Sequence, residues 1–285
     1  MTDLPVPERR PVLLITGCSS GIGLATAAAA DAAGWSVLAT VRDPGRADAL
    51  RAAAPGALVR RLDVTDEASI AACFADLERL DAVVNNAGVS NCDPTLEMSD
   101  AAALRANLEV NFFGTVAVSR AAMPLLRASG GRLLTIGSVH GVVGQPFNEA
   151  YSAAKFAVEG FMEALAPVAA AHGVRVSVLV PGYVPDTEFG VFPDVDRHTL
   201  QAASGPYADT FAAYVARLGR GWESAGQPAA EVAAAVLQAL ALEQPPFRIP
   251  ANAWAAAYLD AKLADRDGSS VQRLARDWIG LTPAT

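Results

Sequence analysis

The chain alternates between short runs that are apolar almost throughout and longer Ala/Leu-rich stretches, and this rhythm restricts its fold more than any other feature. The runs are PVLLIT (11–16), WSVLATV (35–41), ALVRRLDV (57–64), DAVVNNAG (81–88), GRLLTIGS (131–138) and VRVSVLVPG (174–182). Helical spacing occupies the intervals near 22–33, 66–79, 100–128 and 151–171. A strand that is apolar on both faces has to be covered on both faces. Strand–helix–strand alternation supplies that cover by placing helices on each side of a parallel sheet. The expected fold class is therefore α/β, a doubly wound parallel sheet, with FRIP (247–250) as one more strand at an edge. The 285 residues suit one large α/β domain with insertions, and no internal repeat or linker divides them. We expect a loose, proline-rich tail over 1–10 and a single domain over 11–285.

One interval interrupts the rhythm. Residues 183–228 contain Pro185, Pro193, Pro206 and Pro228 together with Tyr183, Phe189, Phe192, Tyr207, Phe211, Tyr214 and Trp222. A long excursion between a strand and the next helix is, in this architecture, either a surface insertion or a cover for a ligand. The density of aromatics favours a substrate lid, with Tyr183, Phe189 and Phe192 as candidate substrate contacts.

Composition argues against several functions. No apolar run reaches the roughly 18 residues of a membrane helix, and MTDLPVPERRP lacks the apolar centre of a signal peptide. Cys18, Cys73 and Cys92 are odd in number, far apart and without a C-x-x-C pair. That argues against a disulfide framework or a zinc site and fits a reducing cytoplasm. No metal is expected. A formal net charge of −8 opposes non-specific nucleic-acid binding, so any anionic ligand needs a locally built site.

ITGCSSGIGLAT (15–26) follows the first strand and opens the first helix, with Gly17, Gly21 and Gly23 spaced G-x-x-x-G-x-G. Such glycines either make an ordinary tight turn or let a pyrophosphate approach bare N–H groups at a helix N-terminus, where the helix dipole favours negative charge. On the second reading the fold is a Rossmann fold and the ligand a dinucleotide. An NAD enzyme of this architecture places a carboxylate about 20 residues after the glycines, on the ribose 2′-OH. Here Val41 and Arg42 occupy that place, and a guanidinium suits a 2′-phosphate. Asp43 is open to two readings, as that carboxylate or as the N-cap of a helix beginning at Pro44. The DPG sequence favours the cap and hence NADP(H).

Lys155 follows Tyr151 by four residues, one helical turn, and it is one of two lysines among 22 basic residues. A tyrosine of ordinary pKa, near 10, is a poor base at neutral pH. A lysine cation on the same helix face, with the positive nicotinamide of an oxidised cofactor, would stabilise the phenolate and lower that value. Y-x-x-x-K also arises by chance, as a surface tyrosine lying on a lysine stem.

TGCSSGIG, NNAG (85–88), Ser138 at the end of LLTIGS, YSAAK (151–155) and PG (181–182) together resemble the short-chain dehydrogenase/reductase family over roughly residues 11–182. ITGCSSGIGLA, ATVRDP and PFNEAYSAAKFAVEGFMEAL are most similar to its 17-beta-hydroxysteroid and retinol dehydrogenase branch, several members of which favour NADP(H). The resemblance implies that Tyr151 is the general acid/base. Lys155 would hold the nicotinamide ribose, Ser138 orient the substrate oxygen, and Asn111 anchor a proton-relay water. Asp63 would contact the adenine, and Asn86, Ala87 and Gly88 would line the cofactor ribose. The expected cofactor set further comprises Gly17, Ser19, Ser20, Gly21, Ile22, Gly23, Arg42, Val64, Tyr151, Lys155, Pro181, Gly182, Val184 and Thr187. His140, two residues after Ser138, is a candidate pocket residue.

The chain departs from the family after the sixth strand. The usual P-G-x-V-x-T reads PGYVPDTEF, which adds Pro185 and moves Thr187 one residue late, away from its expected nicotinamide contact unless the loop bulges. Beyond residue 190 nothing matches the residues by which steroid enzymes grip the far end of their substrate. The expected activity is therefore hydride transfer between NADP(H) and a bulky lipophilic or aromatic carbonyl compound. A ketoreductase of acyl or polyketide thioesters and a cofactor-binding sensor are the alternatives. The resemblance also implies a homodimer or homotetramer paired through the helices near 100–128 and 151–171.

Overall fold

The structure, a computed structural model, describes residues 10–90, 95–187 and 197–280. Its strands are β1 (Val12–Ile15), β2 (Ser36–Val41), β3 (Leu58–Arg61), β4 (Ala82–Asn85), β5 (Arg132–Ile136), β6 (Arg175–Val180) and β7 (Arg248–Pro250). All pair in parallel, in the order β3-β2-β1-β4-β5-β6-β7. Each expected strand is present, and FRIP forms the edge strand. The helices are α1 (Gly21–Ala32), α2 (Asp48–Ala53), α3 (Glu67–Phe74), α4 (Ala101–Leu108), α5 (Gly114–Ser129) and α6 (Glu149–Ala170). They continue with α7 (Arg197–Ala203), α8 (Ala208–Ala225), α9 (Ala229–Ala241), α10 (Ala253–Leu263) and α11 (Ser269–Trp278).

Alternation along each strand divides the core into two layers, because successive side chains of a strand point to opposite faces. Leu14, Val83, Leu133 and Val178 pack against Ile70 of α3, Val118 and Leu126 of α5 and Val158 and Met162 of α6. Leu13, Ile15, Val84 and Leu134 pack on the other face against Ala27 and Ala30 of α1, Leu50 of α2 and Val232 and Val236 of α9. The result is a single-domain Rossmann-like α/β fold. Strand order reverses between β1 and β4, and at such a switch point the loops beyond the strand C-termini part to form a crevice. The loops after β1, β4, β5 and β6 carry the glycine turn, Asn86–Gly88, Ser138 and Pro181–Thr187, so the fold collects the expected site there.

The stretch near 100–128 is not one regular helix. It is α4, a π-helical turn at Glu109–Phe113, and α5. The cause is local. The buried Asn111 donates from Nδ2 to the Asn107 carbonyl at 3.0 Å and to the Val89 carbonyl at 2.8 Å, and it accepts the Val89 amide at 3.2 Å. One side chain thus pairs with both the N–H and the C=O of Val89 in the loop after β4, and the helix widens there into a π-turn, a feature common at functional sites.

The interval 183–228 also has order of its own, in α7 and α8 with a 3₁₀ turn at Gly205–Tyr207 between them. Phe211 and Tyr214 of α8 are engaged within the protein. They are buried against Phe147 of the loop before α6, with ring centroids 5.2 and 5.4 Å away. Phe189 and Phe192 lie outside the described residues, as do Cys92 and the tail over 1–9.

Candidate active site

The glycine turn takes the form that its sequence demands. Gly17 and Gly21 have φ of 72° and 57°, in the left-handed region that side chains disfavour. A Cβ on Gly17 would lie 2.9 Å from the Ala87 Cα, and one on Gly23 would lie 2.2 Å from the Gly17 carbonyl oxygen. Asn86 and Ala87, expected along the cofactor ribose, are spent in part on bracing this turn. The Asn86 side chain donates to the Thr16 and Gly17 carbonyls at 2.9 and 3.0 Å, and the backbone amides of Asn86 and Ala87 both donate to Thr16 Oγ1 at 2.9 Å. Thr16 is therefore a site-building residue that the motif reading missed.

Cys18 is a buried turn-filler rather than a reactive thiol. It bonds the Ile15 carbonyl, and burial pushes its pKa up to about 12. Ser19 is exposed, and Ser20 occupies the N-cap of α1 without a side-chain capping bond. The first turn of α1, which includes the half-buried Ile22, carries no acidic residue. These features fit a dinucleotide pyrophosphate: room left by absent Cβ atoms, uncapped amides, and no opposing carboxylate at the positive end of the helix dipole.

At the end of β2, Val41 is buried and Arg42 exposed. Asp43 is the cap: its Oδ1 accepts the Gly45 amide at 2.9 Å, with Pro44 opening a 3₁₀ turn. Asp63 accepts the Thr65 amide and hydroxyl at 3.0 and 2.7 Å. Those bonds, and after them the charges of Arg42 and Arg61, hold its carboxyl below the usual range. Val64 beside it is buried under Gly114, where a Cβ would come within 2.6 Å of the Val64 side chain.

Ser138 follows β5 and caps the 3₁₀ turn Val139–Gly141, accepting the His140 amide at 3.1 Å. Its hydroxyl also acts on Tyr151, favouring the charged form of the phenol. Gly141 lets this turn sit directly on α6, since a Cβ there would lie 2.9 Å from the Lys155 carbonyl oxygen. Tyr151 and Lys155 occupy one face of α6 as their spacing requires, and both are buried. Lys155 Nζ lies 5.7 Å from the Tyr151 ring centroid and donates to the Ile136 carbonyl at 2.9 Å.

The expected fall in the Tyr151 pKa does not occur in the chain alone. Burial pushes it up, with Ser138 a smaller opposing effect, and burial brings Lys155 down to about 8. Desolvation of the phenolate outweighs the help of a lysine held beside the ring and anchored to β5. His140 stands edge-on to the Tyr151 ring at 5.5 Å between centroids, and burial holds its pKa down to about 4 against a smaller upward effect of Gln145.

The loop after β6 joins the two halves of the site. The Pro181 carbonyl accepts the Val139 amide at 3.2 Å, and Gly182 and Tyr183 beyond it are half-buried. Val184 is buried, and its carbonyl accepts Thr187 Oγ1 at 2.9 Å. Thr187 itself covers the glycine turn, its Cγ2 standing 3.0 Å from where a Cβ of Gly21 would be. Among the described residues, no group of three or more His, Cys, Asp or Glu side chains is placed to hold a metal. Nor is any helix among them long and apolar enough to cross a membrane.

A parallel sheet with a glycine turn at its switch point, facing a buried Ser–Tyr–Lys set, defines a dinucleotide-dependent oxidoreductase. The chain belongs to the short-chain dehydrogenase family, whose model matches residues 11–191. It is 35% identical over 277 residues to human retinol dehydrogenase 8, covering 90% of this chain and 86% of that one. It is 36% identical over 289 residues to human 17-beta-hydroxysteroid dehydrogenase type 1, covering 96% and 88%. A short-chain dehydrogenase from Burkholderia cenocepacia, solved in complex with NADP, superposes with a TM-score of 0.74 at 27% identity, covering 96% of this chain and 99% of that one.

Proposed function

We propose that this enzyme interconverts a carbonyl and a secondary alcohol on a bulky lipophilic or aromatic small molecule, using NADP(H), with Tyr151 as acid/base. The observation that carries the reading is the buried Tyr151–Lys155 pair on one face of α6, with Lys155 Nζ 5.7 Å from the Tyr151 ring centroid and Ser138 acting on the phenol from the end of β5. NADP(H) is supported by Arg42 standing where a carboxylate would select NAD and by Asp43 acting as a cap. The complex of the Burkholderia relative with NADP agrees. The likeness to retinol dehydrogenase 8 and to the 17-beta-hydroxysteroid enzyme supports a place in that branch and a lipophilic substrate.

A bound nicotinamide would supply the hydride for the carbonyl carbon, or accept it in oxidation. The chain supplies the rest. Tyr151 gives its phenolic proton to the carbonyl oxygen as negative charge gathers there, and Ser138 holds that oxygen and then the tyrosinate. The raised Tyr151 pKa keeps the phenol protonated at neutral pH, the form that reduction requires. Lys155 holds the cofactor ribose while its own position is fixed by Ile136, and Asn111 anchors the loop after β4. His140 and Tyr183 border the substrate.

Exposed Leu104, Phe113, Phe156 and Phe161 on α4, the π-turn and α6 support a homodimer or homotetramer. Cytoplasmic residence accords with the buried free thiols of Cys18 and Cys73. The test is NADPH oxidation against a carbonyl panel containing retinal, a 17-ketosteroid, phenanthrenequinone and short aliphatic ketones. Bulky members should turn over, and Tyr151→Phe should lower kcat at least about 10²-fold while still binding NADPH. Near wild-type turnover by that variant would remove Tyr151 from the chemistry.

A further inference from the structure

The hydroxyl of Tyr214 lies in the middle of a buried polar junction between α8 and the start of α6. It accepts Gln145 Nε2 at 2.8 Å and Asn148 Nδ2 at 2.6 Å, across 69 and 66 residues of chain. Asn148 is the residue from which α6 begins. Its carbonyl accepts the Ser152 amide at 2.8 Å, the first bond of the helix, while its side chain makes no capping bond. Gln145 bonds the same turn from the other side, its amide donating to Ser152 Oγ at 3.3 Å. Tyr151 stands between these anchors, three residues after Asn148 and next to Ser152.

The turn is not one that its own residues favour. Phe147 has φ of 58°, the one non-glycine residue with positive φ among those described. Such a conformation is strained for a side chain of this size and persists only where its surroundings impose it. Here the surroundings are Phe211 and Tyr214 of α8, packed on the Phe147 ring. The same loop carries His140, whose ring stands edge-on to that of Tyr151.

We propose that Tyr214 is a positioning residue for catalysis: its hydroxyl fixes the Gln145–Asn148 turn that starts α6 and thereby sets Tyr151, three residues further on, in place. The inference rests on the reading of Tyr151 as the acid/base. It also assigns α8 a purpose that the aromatic content of 183–228 did not reveal, since this helix sets the catalytic tyrosine in place from behind. The bonds of Tyr214 to Gln145 and Asn148 act on the start of α6, so its loss should separate catalysis from cofactor binding, which a merely structural residue would not do.

The experiment is Tyr214→Phe in the full chain, which keeps the ring and removes the hydroxyl. Phenanthrenequinone reduction, NADPH titration by fluorescence and thermal unfolding would be measured beside wild type and Tyr151→Phe. We expect kcat to fall by about 10- to 100-fold, the scale for a reacting group displaced by about 1 Å, with NADPH affinity within about twofold. If Tyr151→Phe is inactive and Tyr214→Phe keeps its kcat within about twofold, the positioning role is wrong and the acid/base reading stands. If Tyr151→Phe is itself active, the reading beneath it fails. Should Tyr214→Phe not fold, Gln145→Leu tests the same junction from its other end. A smaller kcat loss with unchanged NADPH affinity is then expected, and an unchanged kcat overturns the proposal.

Discussion

Lys155 Nζ donates to the carbonyl of Ile136 at 2.9 Å, so the lysine of the site is anchored to the last residue of β5 by the chain itself. The anchor places a cation where water is excluded, and burial brings its pKa from 10.5 down to about 8. A compact ammonium on a flexible stem can reach that carbonyl from inside the helix interface, whereas a planar guanidinium needs more room and several acceptors. This gives a physical reason for a lysine at this position in a chain with 22 basic residues, nearly all of them arginine.

A stability prediction follows from the same shift. The unfolded chain holds this proton up to about 10.5 and the folded chain only to about 8. Between those values the unfolded state binds more protons, so the contribution of Lys155 to stability improves as pH rises, and its full cost is present below about 8. At about 1.4 kcal/mol per pKa unit the cost at neutral pH is on the order of 3 kcal/mol. Lys155→Met should therefore be inactive and weak in NADPH binding, yet unfold at a higher temperature than wild type at pH 7. The gap should narrow as pH approaches 10. Thermal melts across that range check it, and a variant less stable than wild type at pH 7 would mean that the Ile136 hydrogen bond outweighs the burial cost.

Strands, glycine turn and the Tyr151–Lys155 pair were legible because each is written in local periodicity or in a short motif. Cys18 as a turn-filler and Asp43 as a cap were legible for the same reason, since a D-P-G sequence states its own geometry. What could not be read depends on partners far along the chain. The π-turn exists because Asn111 pairs with the peptide of Val89, 22 residues away. Phe211 and Tyr214 look like lid aromatics until their partner Phe147 is known. The upward shift of the Tyr151 pKa opposes the motif-based expectation because the motif names the nearby charge and says nothing of the depth of burial.

The loop that departs from the family pattern also acquires a reason. Asp186 accepts the Ala229 amide at 2.9 and 3.1 Å, placing a carboxylate on the N-terminus of α9, and the Gln227 amide donates to the Tyr183 carbonyl at 3.0 Å. The next residue, Thr187, covers Gly21 at the start of α1. The inserted segment thus spans two helix N-termini, held at one and lying over the other. Asp186→Ala should cost about 1 kcal/mol of stability, the usual loss for a removed cap, and should weaken NADPH because Thr187 loses its support. Asp186→Asn keeps an acceptor and should retain most of both properties. NADPH titration with thermal melts decides it, and full NADPH affinity in Asp186→Ala would show that the cap and the cofactor loop are independent.

Cofactor choice is the most exposed of these arguments, because Arg42 is a solvated side chain at the end of β2. The 2′-phosphate of NADPH carries between one and two negative charges, and a protein of formal net charge −8 offers it no general attraction. Arg42 and the uncapped Ser20 hydroxyl must supply that attraction locally. A hydrogen bond to a charged partner contributes about 1.5–3 kcal/mol, or roughly 10- to 150-fold in affinity at about 1.4 kcal/mol per decade. Solvent screening places Arg42 toward the lower end of that range. Arg42→Ala should therefore weaken NADPH by at least about tenfold and leave NADH nearly unchanged. Val41→Asp should act further in the same direction, repelling the phosphate and accepting the 2′-OH of NADH. Asp43 should be silent in this comparison, since its carboxylate is engaged with Gly45. Titrating both cofactors against wild type, Arg42→Ala and Val41→Asp by nicotinamide fluorescence provides the check. A wild-type chain that binds NADH more tightly than NADPH would return Asp43 to the role of ribose ligand and overturn the assignment.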